Sequence, residues 1–242
     1  MNTSKKKTGI IFADGSERQK QITLLNEHIL EVYLNDEFFA RLICTKCEED
    51  LSDLKSLVIG RLFTSGLIDC VEDAQVFSFS EGGKEAHVSV KAGTGVKNSE
   101  IKNNGINNTT ADRLHPMSWK NEWIFSLSES FANDWGLHSM TQCTHSCILA
   151  KKEEILYSCE DISRNNAADK AIGYAVINKT DMNDCILFTS GRVSADMVRK
   201  VIHAGIPVLV SKSVPTAEAA DLSLDSGLVL ICRAHPDSFV VL

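Results

Sequence analysis

Apolar and polar positions alternate differently in two parts of the chain. Ile29 to Leu34 and Phe38 to Cys44 are short runs rich in β-branched and aromatic residues, and they flank Asn35-Asp36, a composition suited to a hairpin turn. From Asp50 to Phe63 the leucines at 51, 54, 57 and 62 follow helical spacing, and Gly66 supplies a stop. Val71 to Ser78 and Glu85 to Lys91 read as strands around Glu81-Gly82-Gly83. Residues 1–92 therefore predict a small β-rich α+β unit with one helix.

Residues 93–117 are polar and rich in asparagine (Asn98, Asn103, Asn104, Asn107 and Asn108), the pattern of a long linker loop. Beyond it, Trp119, Trp123, Leu127, Phe131 and Trp135 recur every four residues after Ser118, predicting a core-facing helix with Ser118 as its N-cap. Thr144 to Leu149 and Ile155 to Cys159 suit paired strands, and Ser163 to Asn178 is an Ala-rich helix. Then strands and helices alternate: Cys185 to Thr189, Ala195 to His203, Ile206 to Val210, Thr216 to Leu224, Leu228 to Cys232 and Phe239 to Leu242. Such alternation predicts βαβ units in a sheet covered by helices, so residues 118–242 are expected to form an α/β domain.

Composition narrows the function classes. Of 242 residues, 25 are Lys or Arg and 32 are Asp or Glu, a formal net charge of −7. With 43% hydrophobic and 24% charged residues the chain is an ordinary globular one. The acidic balance argues against nucleic-acid and anionic-membrane surfaces. No apolar run approaches the ~18–20 residues that span a bilayer. The basic start Met1 to Lys7 leads into only a short apolar stretch, so no export signal is expected and a cytoplasmic location is predicted. In that reducing setting the eight cysteines read as core residues, metal ligands or carriers of sulfur rather than as disulfides.

Several segments could carry chemistry. Thr189-Ser190-Gly191-Arg192 and Ser211-Lys212-Ser213-Val214-Pro215 each follow an apolar strand and open a helix, with Ser194 as a cap for the first. Ligands of open α/β sheets sit beyond the carboxyl ends of strands, where Gly allows close approach, Ser donates and Arg offers a charged fork, so these loops suit a phosphate. Glu160-Asp161-Ile162-Ser163-Arg164 and the following Asp169-Lys170 fit either ligand orientation or a helix cap with an ion pair. His138, Cys143, His145, Cys147 and Cys159 are the densest soft-ligand group. Strand alternation would spread Cys143, His145 and Cys147 over more than ~12 Å, too far for one tetrahedral ion, so no metal is expected. Cys44-Thr45-Lys46-Cys47 has the spacing of a redox pair or half of a zinc knuckle.

Together these segments resemble the formate dehydrogenase accessory sulfurtransferase family of the FdhD type. The family's helical motif is similar to Asp53 to Gly60 with Gly66-Leu67-Ile68, and its Thr-Gly-Gly-x-His strand corresponds to Thr141 to His145 with both glycines replaced. Its Glu-Asp-x-x-Arg-His-Asn-Ala-x-Asp-Lys-x-x-Gly motif matches Glu160, Asp161, Arg164, Asn166, Ala167, Asp169, Lys170 and Gly173, with Asn165 in the place of His. Ser-Gly-Arg at Ser190 to Arg192, Gly-Ile-Pro-Val-Leu at Gly205 to Leu209, and Ser213 to Thr216 follow in order, so the similarity runs from about Ile29 to the C-terminus.

The resemblance implies a C-terminal cytidine-deaminase-like αβα layered domain, although the deaminase zinc signature is missing. It also implies a homodimer that takes persulfide sulfur from a cysteine desulfurase and passes it to the molybdenum or tungsten cofactor of formate dehydrogenase. The client would be the molybdenum bis(molybdopterin guanine dinucleotide) group, bound by His145, Glu160, Asp161, Arg164, Asp169, Lys170, Ser190, Gly191, Arg192, Ser213, Arg233, Ala234, His235, Pro236, Asp237 and Ser238. The family's loop motif Cys-Gly-x-Cys-Gly corresponds to Asn104-Gly105-Ile106-Asn107-Asn108, so asparagine stands at both carrier positions. Either another thiol (Cys44, Cys47, Cys143 or Cys147) carries sulfur, or the protein only binds and hands over the cofactor; an unrelated zinc or redox enzyme built on Cys44 and Cys47 is the third alternative.

Overall fold

The computed structural model describes residues 3–46, 51–91, 114–133 and 136–242. Its architecture is α/β, as the pattern predicts. Strands β1 (Ser4–Ala13) and β2 (Ser16–Leu25) form a separate antiparallel hairpin. β3 (His28–Leu34), β4 (Glu37–Cys44), β5 (Ala74–Phe79) and β6 (Glu85–Val90) make a four-stranded sheet of order β4-β3-β6-β5, with α1 (Ser52–Thr64) packed on its inner face. β7 (His145–Lys151), β8 (Glu154–Asp161), β9 (Cys185–Thr189), β10 (Val208–Ser211), β11 (Val229–His235) and β12 (Ser238–Val241) form a six-stranded sheet of order β12-β11-β10-β9-β7-β8. Only β9, β10 and β11 run parallel; β7, β8 and β12 are antiparallel to their neighbours.

Both faces of the large sheet are covered. Ile148, Ile186, Phe188, Val208, Val210 and Ile231 pack under α2 (Asn121–Ala132), where Phe131 stacks on Phe188 at 4.4 Å between ring centres. Leu149, Leu187, Leu209 and Leu230 face the other way, toward α4 (Arg164–Ile177), α5 (Ala195–His203) and α6 (Ala217–Ser226). Strands buried on both faces read as continuous apolar runs rather than as alternation, which is how these segments look in the sequence.

The two sheets share one hydrophobic core, because α1 packs directly on α4. The crossing point is glycine on glycine. A Cβ on Gly60 would lie 1.8 Å from the Asp169 carbonyl oxygen, and one on Gly173 would lie 1.9 Å from that of Ser56. Around this contact, each helix presents a polar stripe at helical spacing: Ser56, Gly60, Arg61 and Thr64 on α1, and Asn166, Asp169, Lys170 and Gly173 on α4.

Several boundaries differ from the pattern. The hairpin over residues 4–25 carries the strong turn pair Asp14-Gly15, but its strands lack a sustained apolar–polar alternation, so periodicity does not announce it. A 3-10 turn over Val71–Asp73 delays the next strand to Ala74, because the Asp73 carboxylate accepts from the backbone N–H groups of Asp69 and Cys70 at 2.9 and 3.2 Å. Helix α2 starts after Lys120, so Ser118 is not its cap. Ser194 and Thr216 do cap α5 and α6, accepting from the N–H of Met197 and Ala219. Gly66 ends α1 at φ +69°, with the Leu67 N–H bonded to the Leu62 carbonyl at 2.9 Å and the Gly66 N–H to that of Phe63 at 2.8 Å. No helix among the described residues is long and apolar enough to cross a membrane.

Candidate functional site

The carboxyl ends of β9, β10 and β11 open on the same side of the sheet. Because β7 runs antiparallel to β9, it starts there, and because β8 runs antiparallel to β7, it ends there. That shared edge collects the loops read from the sequence as anion-binding. The strand-end loops are tied together through their own polar groups. The Ser146 N–H donates to Ser190 Oγ at 3.0 Å, and the Ser190 N–H donates to the Ser146 carbonyl at 3.0 Å. Ser211 Oγ donates to the Gly191 carbonyl at 2.8 Å while accepting from the Ser213 N–H at 2.9 Å. The Arg233 N–H closes the set on the Ser213 carbonyl at 3.0 Å.

Positive charge is concentrated on this rigid edge. His145, half-buried at the start of β7, has Nδ1 3.5 Å from Ser190 Oγ. Burial pushes its pKa below the ordinary imidazole range, and the charges of Arg164, His138 and Arg192 add to that lowering. Gly191 allows the Arg164 side chain to lie across the loop, since a Cβ there would come within 2.7 Å of Arg164 Cβ. Arg164 Nε and Asn165 Oδ1 are buried without a hydrogen-bond partner, and Arg192 is exposed. Among the described residues neither arginine forms an ion pair with a carboxylate. Lys212 adds a further cation, its Nζ 5.7 Å from the centre of the Phe131 ring. Such a group of unneutralised cations with hydroxyl and backbone donors suits a phosphate or diphosphate.

The acidic members of the sequence motif have other partners. Asp161 and Lys170 are fully buried: Lys170 Nζ lies 2.8 Å from Asp161 and 2.6 Å from Asp53, and it donates to Thr45 Oγ1 at 2.9 Å. Burial would lower the Lys170 pKa, but Asp161 and Asp53 outweigh it and hold the ammonium above its ordinary range. Asp161 also accepts from Asn166 Nδ2 and from the N–H groups of Thr45 and Ser163. Asp169 is fully buried against Lys200 (2.7 Å), Arg61 (3.0 Å) and Thr64 Oγ1 (2.9 Å). These three residues brace α4 against α1 and the end of β4 and leave no group free for a ligand. For Asp169 and Lys170, the spacing on one helical face with Asn166 and Gly173 is the signal for this role; Asp161, at the end of β8, carries no such signal.

Glu160 sits nearer the crevice but is engaged too. It accepts from the N–H groups of Leu137 and His138 at 2.9 and 2.6 Å and from Thr144 Oγ1 at 2.8 Å, so it holds α3 (Gly136–Thr141) and the turn that follows. In the β11–β12 connection Ala234 is buried, whereas His235, Pro236, Asp237 and Ser238 are exposed, as is Arg233 at φ +50°.

The cysteines divide by burial. Cys147 lies inside β7 opposite Cys159, and the Cys159 thiol donates to the Ala167 carbonyl. Burial pushes both thiols well above their ordinary range. Cys44 is buried as well; burial first, then the Asp161 charge, push its pKa up to about 12. Protonated thiols in the core are poor nucleophiles, which counts against Cys44 and Cys147 as sulfur carriers. Cys143 is exposed and precedes β7 at a turn where Gln142 has φ +52°, rather than alternating along the strand with His145 and Cys147. Cys47, Asn104 and Asn107 lie outside the described residues. Among the described residues, no three His, Cys, Asp or Glu side chains are placed to share a metal ion. Among the cysteines of the described residues, alkylation of the native protein followed by mass mapping is expected to label Cys143 and Cys70, both exposed, first. Cys44, Cys147 and Cys159 should react only in denaturant.

The family model for the FdhD/NarQ family matches residues 25–242. A protein named sulfur carrier protein FdhD from Halalkalibacterium halodurans is 28% identical over 240 residues, covering 92% of this chain and 86% of its own. One of the same name from Bacillus pumilus is 26% identical, covering 99% and 96%. Among solved structures, a candidate formate dehydrogenase accessory protein from Desulfotalea psychrophila superposes with a TM-score of 0.82, covering 100% of this chain and 97% of its own at 22% identity, a likeness of fold.

Proposed function

The chain belongs to the FdhD/NarQ family, and from that premise we propose that it is a formate dehydrogenase accessory protein that holds the guanine dinucleotide form of the molybdenum or tungsten cofactor during sulfuration. The observation carrying this reading is the pair of cations Arg164 and Arg192, in no ion pair with a carboxylate among the described residues, with the His145 ring and the Ser190 and Ser213 loops beside them. Two guanosine diphosphate arms bring phosphate charge that such donors match. Arg192 is exposed and recruits the anion; Arg164, held over Gly191, has a buried Nε with a free donor. Glu160 acts indirectly, by fixing α3 and the Cys143 turn at the rim.

Sulfur from a cysteine desulfurase is received as a persulfide. Among the candidate carriers in the described residues, Cys143 alone combines exposure with a place at this edge. Its thiolate attacks the terminal sulfur of the donor persulfide; the new S–S bond forms as the donor's breaks, and the donor cysteine leaves as a thiolate.

A second reading rests on Asn104 and Asn107, which stand where the family's loop carries cysteine. In that reading the protein binds and hands over the cofactor without carrying sulfur. Calorimetry with GDP tests the shared pocket: Arg192→Ala is expected to weaken binding about tenfold, the loss of one charge-assisted hydrogen bond of ~1.5 kcal/mol or more. Equally poor binding by wild type and variant would overturn the pocket. Incubation with a cysteine desulfurase and cysteine, then persulfide tagging and mass mapping, separates the two readings: a tag on Cys143 supports the carrier, and no tagged cysteine leaves only the hand-over role.

A further inference from the structure

The β1–β2 hairpin precedes the region matched by the family model, and its charge is opposite to that of the rest of the chain. Lys5, Lys6, Lys7, Arg18 and Lys20 against Asp14 and Glu17 give 5 − 2 = +3, so the remainder of the −7 chain carries −10. All of these cations are exposed, and none forms an ion pair among the described residues. They are also in order. The antiparallel register sets Lys5 against Leu24, Lys7 against Ile22, Gly9 against Lys20 and Ile11 against Arg18, and directly opposed residues share a face. That face carries one cation on each of these successive rungs. Rungs on one face are two residues apart, about 6.8 Å, so the row is about 20 Å long. The other face of β1 presents Lys6, Thr8, Ile10 and Phe12, with Ile10 62% and Phe12 70% exposed.

A two-stranded sheet is marginal by itself in water, and a third strand stabilises such a ribbon. β2 lies against α3, which leaves β1 as the outer strand. Every second residue of β1 turns its N–H and C=O away from β2, and no other strand among the described residues pairs with them. A free edge of this kind takes an extended segment through main-chain hydrogen bonds, and its side-chain alternation decides which segment fits. An added strand has the same repeat of about 6.8 Å as the row of cations. Carboxylates on its alternate residues therefore fall opposite Lys5 and Lys7, one strand away from Lys20 and Arg18. Its intervening residues meet Thr8, Ile10 and Phe12, where apolar side chains are the match. The same edge of another copy is itself basic, so like charges would oppose one another there.

We propose that the outer edge of β1 is a docking site for an extended acidic segment of a protein partner, one that alternates carboxylate and apolar side chains and joins the hairpin as a third strand. The carboxylates lie along the row from Lys5 to Arg18, and the apolar side chains cover Ile10 and Phe12. The docking edge involves none of the strand-end loops, so it holds under either the carrier or the hand-over reading.

The probe is a fluorescein-labelled peptide of alternating Glu and Val, long enough to span β1, titrated with the full-length protein and read by anisotropy. Wild type is expected to bind it at low ionic strength, with affinity falling at least about tenfold at high ionic strength. Amides of β1 should gain protection from hydrogen exchange in the complex. A peptide of the same composition with Glu and Val in two blocks should bind at least about tenfold more weakly, because it puts acids on both faces of the added strand. Lys5→Glu/Lys7→Glu/Lys20→Glu, with an unchanged urea midpoint, should lose the Glu–Val peptide and gain one of alternating Lys and Val. No binding by wild type, equal affinity for the block peptide or for a single-stranded DNA oligonucleotide, or binding that survives the reversal would overturn the proposal. So would β1 amides whose protection without peptide rises with protein concentration, since another copy would then hold the edge.

Discussion

Gly60→Ala and Gly173→Ala are each expected to cost more than about 3 kcal/mol, beyond the usual range for overpacking. The physical reason is that the obstacle is backbone. The added methyl would meet the Asp169 carbonyl at 1.8 Å or the Ser56 carbonyl at 1.9 Å, and no rotamer change relieves either contact. The helices α1 and α4 would have to separate, which would open the core that both sheets share and pull apart the Arg61–Asp169 and Asp53–Lys170 ion pairs between them. Domains of ordinary stability have about 5–15 kcal/mol in total, so low soluble yield and a collapsed urea midpoint are the expected readouts. Gly66→Ala is the control. A Cβ there meets nothing within 4 Å, and its cost is only the left-handed φ of +69°, about 1 kcal/mol. Equal midpoints for the three variants would refute the close-contact account.

Lys170→Met is the second large effect, at about 3–5 kcal/mol, because it leaves Asp161 and Asp53 without their counter-ion in a buried setting. The network is balanced as it stands: Asp53, Asp161 and Asp169 against Arg61, Lys170 and Lys200. Adding Asp161→Asn and Asp53→Asn to Lys170→Met should recover much of the loss, measured as urea midpoints of the single and triple variants. The pH sign follows from the raised folded-state pKa of Lys170. A base whose pKa rises on folding stabilises fully below its unfolded value, about 10.4, and loses that contribution only as pH climbs through the higher folded value. Wild type should therefore show no alkaline loss traceable to Lys170 across the neutral and mildly alkaline range. No recovery in the triple variant would mean that Lys170 acts through packing rather than charge.

Both effects fall on residues of the family-like motif, and they show how far that motif could be read. Glu160 to Gly173 is legible as one string of polar and small residues that fits either ligand orientation or a helix cap with an ion pair, and the resemblance places Glu160, Asp161, Arg164, Asp169 and Lys170 at the ligand. The helical period divides it. Asn166, Asp169, Lys170 and Gly173 share the stripe facing α1, whereas Arg164 lies at the helix start beside Gly191. Thr45, which joins Asp161 and Lys170, had no signal at all in one sequence, because its partners lie more than a hundred residues away. The cysteines were similar. Their number was plain, but whether a thiol is a nucleophile depends on burial, and burial puts Cys44 and Cys147 in the core while leaving Cys143 at the rim.

By itself the sequence determined the α/β class, the order of nearly every strand and helix from Ile29 onward, and the Ser- and Gly-bearing loops that end strands β9 and β10. These follow from local rules: side-chain period, capping hydroxyls, and glycine where a helix must stop. Only the tertiary structure decided which polar residues face a ligand and which are consumed as braces. It also decided that two glycines more than a hundred positions apart touch, and that a basic hairpin stands apart from an acidic body. Local periodicity says which face of an element is polar. What that face meets is set by long-range packing, and in α4 it meets α1.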